Sequence, residues 1–183
     1  MESDFGQMLT AVVTPFDSNF AVNYDQFRKL LTYLVNEGSD GIVVSGTTGE
    51  APTLTKDEKL KLFEVALEEV GDRAKIIAGT CSYDTHQSMI LSQEAEKIGV
   101  HGILAVAPYY NKPPQEGLYQ HFKAIAEKVS IPIMLYNIPS RTGSNLLPET
   151  VQRLSEIDNI IAIKESVGMM DQISDLKKRL GEN

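Results

Sequence analysis

The chain has 183 residues, of which 42% are hydrophobic, and its formal net charge is −8 at pH 7. This length and composition suit one soluble globular domain with a substantial core. The excess of acidic residues argues against nucleic acid or an anionic membrane surface as a partner, because both are bound through basic patches.

Other features of the composition narrow the class of protein further. The polar N-terminus, Met1–Asp4, does not resemble a signal peptide, and no apolar run approaches the roughly 20 residues that span a bilayer. A single cysteine, Cys81, cannot form an internal disulfide, which fits a reducing compartment and a cytoplasmic protein. The histidines His86, His101 and His121 are scattered, without cysteine or carboxylate partners at ligand spacing, so we expect no metal site.

Apolar segments with the character of strands alternate with amphipathic helical segments along the chain. The predicted strands are 9–13, 41–44, 76–78, 102–106, 133–136 and 160–163. The predicted helices are 23–38, 55–71, 84–99, one containing 118–129, one beginning at Pro148 and one containing 173–180. Capping patterns mark the starts of the first three helices, and a glycine ends each of them.

Six consecutive strand-then-helix units predict a parallel sheet covered by helices. The two candidate folds are a (β/α)8 barrel and an open doubly wound sheet. A doubly wound dinucleotide-binding protein should carry G-x-G-x-x-G after its first strand, but here Thr14-Pro15-Phe16-Asp17 follows that strand. We therefore predict an α/β fold of the TIM (β/α)8 barrel type.

A complete barrel of this type needs about 250 residues. The sequence holds only six units, so we expect residues 1–183 to form a single barrel domain that is truncated after the sixth unit. Six strands of an eight-stranded barrel would leave two strand edges unpaired. We expect residues 1–183 alone to aggregate, swap into oligomers or behave as a molten state, and to show little catalytic activity.

Polar residues follow four of the predicted strands, at the barrel face where catalytic residues lie. The segments are 45–50, 108–113 and 136–143, and the fourth group is Lys164 itself. Taken singly, each has a structural explanation as a turn, a rim aromatic or an ion-paired side chain. Together, an amine, phenols, hydroxyls and an arginine suit a carbonyl substrate that carries carboxylates.

Lys164 is the central candidate among these residues. It follows the apolar segment 160–163, which we interpret as a strand buried on both faces. A lysine at a strand end is more often solvated or paired with an acid such as Glu165. The functional alternative is an amine in a partly apolar pocket, where desolvation frees the lone pair for Schiff-base chemistry.

From about Leu9 onward, the sequence resembles the dihydrodipicolinate synthase family, within the N-acetylneuraminate lyase superfamily of class I, Schiff-base-forming aldolases. The motifs that carry the resemblance are Gly46-Thr47-Thr48-Gly49-Glu50, Pro108-Tyr109-Tyr110-Asn111, Tyr136-Asn137-Ile138-Pro139-Ser140-Arg141-Thr142-Gly143 and Ile163-Lys164-Glu165-Ser166. The lysine marks the superfamily, whereas the double threonine and the Ser140–Gly143 run indicate this family.

The resemblance implies a reaction and its site residues. Lys164 would form an imine with pyruvate, and the derived enamine would attack L-aspartate 4-semialdehyde, the first committed step of lysine and diaminopimelate biosynthesis. No metal or organic cofactor is implied. Tyr136 would shuttle protons at the imine, and Thr47 would link Tyr136 to Tyr110.

Two further residues are implied to bind substrate. Thr48 would hold the pyruvate carboxylate, and Arg141 would bind the carboxylate of the semialdehyde, for which a planar guanidinium is well suited. In the family the tyrosine at Tyr110 is donated across a dimer interface, so the resemblance also implies a homo-oligomer, a dimer of dimers.

Two alternatives stay open. Another Schiff-base enzyme of the superfamily, an N-acetylneuraminate lyase or a keto-deoxy-sugar acid aldolase, would keep the lysine and Tyr136 but usually lacks an arginine placed like Arg141. A catalytically silent barrel fragment could serve as an assembly module. Feedback inhibition by lysine is expected to be weak or absent, because the implied effector-site positions hold Lys56, Lys59 and Gln87.

Overall fold

The structure is a computed structural model, and it describes residues 5–181. Residues Met1–Asp4, on which the signal-peptide argument depends, lie outside this range, as do Glu182 and Asn183. The strands are β1 (Leu9–Ala11), β2 (Gly41–Val44), β3 (Lys75–Gly79), β4 (Gly102–Val106), β5 (Ile133–Asn137) and β6 (Ile160–Glu165). They follow one another in sequence order in one six-stranded sheet.

Helices follow the strands, as the apolar periodicity predicted. They are α1 (Tyr24–Asn36), α2 (Lys56–Val70), α3 (Thr85–Ile98), α4 (Gln115–Ala126), α5 (Pro139–Thr142), α6 (Pro148–Leu154) and α7 (Met170–Leu180), with a short 3-10 helix at Ala51–Thr53. Within residues 5–181, no helix is long and apolar enough to cross a membrane.

The described residues form two compact units. The N-terminal unit comprises residues 5–80 and 94–103, and the C-terminal unit comprises residues 81–93 and 104–181. The chain passes between them just after β3, within α3 and within β4.

In the N-terminal unit, β1, β2 and β3 pair in parallel, with Thr10 opposite Ile42 and Ile42 opposite Ile76. The helices begin where the sequence predicted. Asn23 accepts a hydrogen bond from the backbone N–H of Gln26 at the start of α1. A reciprocal capping box at the start of α2 joins Thr55 and Glu58. The largest fully buried side chains of this unit are Phe27, Leu31, Ile42, Leu62, Phe63, Ile76, Ile77 and Ile103.

In the C-terminal unit, β5 and β6 pair in parallel, and α6 packs against both α4 and α7. Pro148 occupies the first turn of α6, as predicted, where its missing N–H costs no hydrogen bond. The fully buried side chains here include Leu118, Phe122, Ile125 and Ile133. The apolar core therefore lies where the helical and strand patterns placed it.

Some predicted features differ in the structure. Helix α4 ends at Ala126, so it does not include Val129, which was predicted to be helical. Strand β1 ends at Ala11 rather than Val13, and Val13 is 49% exposed. Strand β6 continues to Glu165, so Lys164 lies inside the last strand instead of following it. The prediction that this strand is buried on both faces was wrong, because β6 is an edge strand of the described sheet and Ile161 is 36% exposed.

A β-bulge explains the position of Ile161. Ile133 is the partner of Ile160, but the next residue of β5, Met134, is the partner of Ala162. Ile161 is thus an extra residue on β6 between these two pairs. After it, each residue of β5 pairs with a residue of β6 that lies one position further along the chain. The shift places Lys164 directly opposite Tyr136.

Candidate active site

Lys164 and Tyr136 lie side by side on one face of the β5–β6 pair. The amine Nζ of Lys164 is 4.1 Å from the centroid of the Tyr136 ring, within the range of a cation–π contact. Tyr136 is only 4% exposed, and its backbone carbonyl accepts a hydrogen bond of 2.9 Å from the N–H of Ala107. The buried Tyr136 ring therefore has a fixed position beside the partly buried Lys164 amine.

On the opposite face of the same strands lies a polar cluster that the sequence analysis missed. Asn137 is fully buried and pairs in register with Glu165. The Asn137 Nδ2 group donates to the Glu165 carboxylate at 3.0 Å, and Gln172 of α7 donates to it at 3.3 Å. A candidate site residue is followed by a polar residue twice, in Tyr136-Asn137 and in Lys164-Glu165. This repeat was the sequence feature that could have indicated the cluster.

Arg141 lies in the four-residue helix α5, which directly follows β5. The helix ends at Gly143, whose φ of +69° favours glycine. The Thr142 hydroxyl donates to the carbonyl oxygens of Ile138, at 3.1 Å, and Ser144, at 2.8 Å. This turn keeps the exposed Arg141 close to the carboxyl end of β5.

The segment after β4 lies against this turn. A Cβ added to Gly143 would be 2.8 Å from Cε of Lys112, so the lysine stem covers the glycine. Tyr110 and Lys112 both have left-handed backbone conformations, with φ of +70° and +46°. Tyr110 is 90% exposed. The structure thus brings the loops that carry Tyr110 and Arg141 next to each other.

Tyr109 has a different environment from its neighbour Tyr110. Its ring packs edge-to-face on Tyr83, with the ring centroids 5.1 Å apart. Burial, and to a smaller extent the nearby Tyr83, raises the pKa of the Tyr109 phenol. Tyr109 is therefore a packed, neutral side chain, whereas Tyr110 projects into solvent.

Thr47 and Thr48 lie in the N-terminal unit, in the loop of residues 45–50 that follows β2, and both are exposed. Gly46 accepts the N–H of Gly49 at 3.1 Å, and the Thr14 hydroxyl donates to the Gly49 carbonyl at 2.7 Å. Hydrogen bonds to its backbone atoms therefore fix the loop, and the side chains of Thr47 and Thr48 are exposed and available to bind a substrate.

A close backbone contact fixes the start of the same loop. Ser45 has a left-handed conformation with φ of +56°, and its carbonyl points at the α-carbon of Gly79. A Cβ at Gly79 would lie 2.1 Å from the Ser45 oxygen. Only glycine allows this approach.

The candidate residues thus divide between the two units. In the C-terminal unit the structure brings Lys164 and Tyr136 together. The hydroxyl relay from Tyr136 through Thr47 to Tyr110 has members in both units and stays a prediction, as does the role of Thr48. Within residues 5–181, no three His, Cys, Asp or Glu side chains are grouped so as to hold a metal ion.

The positions implied for lysine feedback contain one feature that the sequence did not indicate. Lys56 forms an ion pair of 3.0 Å with Glu94, so a carboxylate lies beside this cation. Burial lowers the pKa of Lys59. Repulsion of an incoming lysine by Lys56 is therefore weaker than the sequence argument assumed, and weak inhibition by lysine stays a prediction.

Comparisons with known proteins agree with the resemblance found in the sequence. The sequence profile of the Dihydrodipicolinate synthetase family matches residues 4–183. The 4-hydroxy-tetrahydrodipicolinate synthase of Desulforamulus reducens is 61% identical over 181 residues, which are 98% of this chain and 61% of that protein. The crystal structure of a dihydrodipicolinate synthase from Bacillus anthracis matches with a TM-score of 0.95 and 47% identity, over 98% of this chain and 61% of that one.

A dihydrodipicolinate synthase from Acinetobacter baumannii, solved in complex with pyruvate, matches with a TM-score of 0.93 and 40% identity, over 96% of this chain and 60% of that one. The chain thus spans about three fifths of the length of these proteins. The predicted fold class, an α/β barrel of which six β/α units are present, is confirmed. Both the profile and the identity show that the chain belongs to the Dihydrodipicolinate synthetase family.

Proposed function

We propose that this protein is a 4-hydroxy-tetrahydrodipicolinate synthase, a lyase that joins pyruvate to L-aspartate 4-semialdehyde through a Schiff base on Lys164. The observation that carries the proposal is the Lys164 amine, 4.1 Å from the Tyr136 ring at the carboxyl ends of two parallel strands. Family membership and the pyruvate complex of the Acinetobacter baumannii protein support the choice of pyruvate.

The first half of the reaction makes a carbon nucleophile from pyruvate. The Lys164 lone pair attacks the ketone carbon, and loss of water leaves a protonated imine. The imine withdraws electrons from the methyl group, which loses a proton and becomes an enamine. The imine is itself the electron sink, so this scheme needs no metal or organic cofactor.

The second half forms the carbon–carbon bond and releases the lysine. The enamine carbon attacks the aldehyde carbon, whose oxygen takes up a proton, and the imine re-forms. The amino group of the semialdehyde then attacks the imine carbon, closes the ring and expels the Lys164 amine. Tyr136, lying against that amine, is the side chain we assign to the proton transfers.

The remaining site residues bind the substrate carboxylates or relay protons. Thr48 and the backbone of its loop would hold the pyruvate carboxylate, and Arg141 would bind the carboxylate of the semialdehyde. Thr47 would connect Tyr136 with Tyr110. The 90% exposure of Tyr110 supports its being covered by a second copy of the chain in a homo-oligomer. The family resemblance is the basis for proposing a dimer of dimers and a cytoplasmic location.

A steady-state assay tests this function. With its barrel complete, we expect the purified protein to consume pyruvate only when L-aspartate 4-semialdehyde is present and to release the heterocyclic product. Lys164→Arg should abolish turnover, whereas Lys128→Arg, at an exposed position of the same unit, should not change it. Cleavage of N-acetylneuraminate or of a keto-deoxy-sugar acid, without condensation of the semialdehyde, would contradict the proposal and identify a sister activity.

A further inference from the structure

The polar cluster behind Lys164 and Tyr136 has no role in the chemistry proposed above. Successive residues of a strand face opposite sides, so Asn137 and Glu165 point away from the Tyr136–Lys164 face. They point toward α7, where Gln172 is only 8% exposed. A partly buried carboxylate directly after the reactive lysine calls for an explanation, because an apolar pair would be simpler to bury.

The cluster satisfies the Glu165 carboxylate with amide groups. Asn137 Nδ2 lies 3.0 Å from both carboxylate oxygens, and Gln172 Nε2 lies 3.3 Å from one of them. The same Asn137 amide is 2.9 Å from Asn145 Oδ1, and its own Oδ1 accepts the N–H of Leu146 at 2.9 Å. The buried Asn137 side chain therefore donates hydrogen bonds from its amide nitrogen and accepts one at its amide oxygen.

These bonds join the segment after α5 to the strand before it. Arg141 lies in α5, and the chain returns to β5 at Asn145 and Leu146, where Asn137 holds it. Gln172 strengthens this attachment, since it bonds both Asn145 and the Leu146 carbonyl. The turn that carries Arg141 is thus fixed at both ends to the strands that carry Tyr136 and Lys164.

We propose that Asn137, Glu165 and Gln172 form a positioning cluster that holds Arg141 at a set distance from Lys164 and so determines the affinity for the second, carboxylate-bearing substrate. The inference rests on the proposed function, because it assigns the Arg141 guanidinium to the semialdehyde. It also accounts for the satisfied polar groups: a network with every member bonded specifies one arrangement, whereas apolar packing tolerates several.

Glu165→Gln is the first test, because it keeps the size of the side chain but replaces one acceptor oxygen by a donor that faces the Asn137 amide. We expect KM for L-aspartate 4-semialdehyde to rise by about tenfold or more, while trapping of the pyruvate imine by borohydride stays within about threefold of wild type. Glu156→Gln, an exposed carboxylate in the same unit, is the matched control and should behave as wild type.

Asn137→Asp is the second test, because it sets two carboxylates against each other. We expect a larger increase in the semialdehyde KM than in Glu165→Gln, because the two carboxylates repel each other and Glu165 loses its amide donor. The double variant Asn137→Asp with Glu165→Gln restores one donor and one acceptor, so we expect it to be closer to wild type than either single variant.

Three results would overturn the cluster's role. They are an unchanged semialdehyde KM in Glu165→Gln, a parallel loss of imine trapping and semialdehyde use, or a double variant no better than the single ones. If Asn137→Asp fails to fold, Glu165→Gln decides alone. A wild-type protein that traps pyruvate but never uses the semialdehyde would instead refute the proposed function, and with it the substrate assigned to the cluster.

Discussion

Lys164 and Tyr136 are register partners on neighbouring parallel strands, and the lysine amine is 4.1 Å from the centroid of the tyrosine ring. This pairing depends on the bulge at Ile161. Without the extra residue, counting from the Ile133–Ile160 pair would set Tyr136 opposite Ile163, and Lys164 would face the other side of the sheet. A local irregularity at the start of β6 thus determines which side chain meets the tyrosine at its end.

Tyr136→Phe should separate the two contributions of this tyrosine. The variant keeps the buried ring beside Lys164 and removes only the hydroxyl, so we expect pyruvate still to be trapped on Lys164. Loss of a proton-transfer group should lower kcat by about 100-fold. Tyr119→Phe, on the surface beside Arg153, is the control. Unchanged turnover in Tyr136→Phe would show that the ring alone is needed.

Arg141→Ala should damage the two substrates unequally. A lost charge-assisted contact with a carboxylate costs a few kcal/mol, so kcat/KM for the semialdehyde should fall by about 100-fold with little change in imine formation from pyruvate. Arg153→Ala removes a surface arginine of the same unit, paired with Glu116 at 2.9 Å, and should leave both unchanged. Equal losses for both substrates would make Arg141 structural.

Gly79→Ala should disturb the loop that carries Thr48. The new Cβ would meet the Ser45 oxygen at 2.1 Å and the Ser45 carbonyl carbon at 2.7 Å, both backbone atoms, so the loop has to move. We expect a loss of about 1–3 kcal/mol in the free energy of unfolding and a raised KM for pyruvate. Thermal denaturation and steady-state kinetics measure the two effects.

Gly38→Ala is the control for the Gly79 variant. At Gly38 an added Cβ meets nothing within 4 Å, but the φ of +100° strains any other residue. This variant should lose stability with unchanged kinetics. If Gly79→Ala lost stability in the same way but kept the pyruvate KM of wild type, the contact with Ser45 would have no bearing on substrate binding.

His121 should make the protein less stable in mild acid. It is 4% exposed, and its Nδ1 lies 2.8 Å from the Thr85 hydroxyl. Burial lowers the pKa of His121 to about 4, against a smaller opposing effect of Asp84. Above the unfolded pKa of about 6.5 the histidine is neutral in both states, so it has no effect on the pH dependence. As the pH falls toward 4, only the unfolded state binds the proton, and up to about 3 kcal/mol of stability is lost.

The measurement is the difference in unfolding free energy between pH 7 and pH 4.5, in wild type and in two variants. His121→Asn should reduce that difference, because the proton-binding group is gone. His86→Asn removes an exposed histidine and should keep the wild-type difference. Burial also lowers the pKa of His101, with Lys75 adding to the effect, but this group is common to all three proteins and cancels. Equal differences in all three would contradict the role given to His121.

Much of the fold could be predicted from the sequence because its strands and helices have clear periodicity. The bounds of β2 and β4 agree with the prediction, and the capping residues Asn23 and Thr55 begin their helices. Helix α5 was not predicted, since four residues are too short to show a helical period.

The candidate site could be predicted only in part, for a physical reason. Motifs identify residues, but the face on which each side chain lies depends on register, and the bulge at Ile161 leaves no mark in the pattern of apolar residues. The Asn137–Glu165–Gln172 cluster was missed because the polar residues after Tyr136 and Lys164 do not by themselves show what they contact. Its members lie 28 and 7 residues apart along the chain and meet only when β5, β6 and α7 pack together.

The most direct test of a Schiff base on Lys164 is mass spectrometry of the protein after treatment with pyruvate and borohydride. With the barrel complete, we expect one reduced pyruvate adduct per chain, mapped by peptide analysis to Lys164 and absent from Lys164→Arg. Lys112 and Lys128, in the same unit, should stay unmodified. An adduct on either of these lysines, or no adduct in a protein that turns over both substrates, would contradict it.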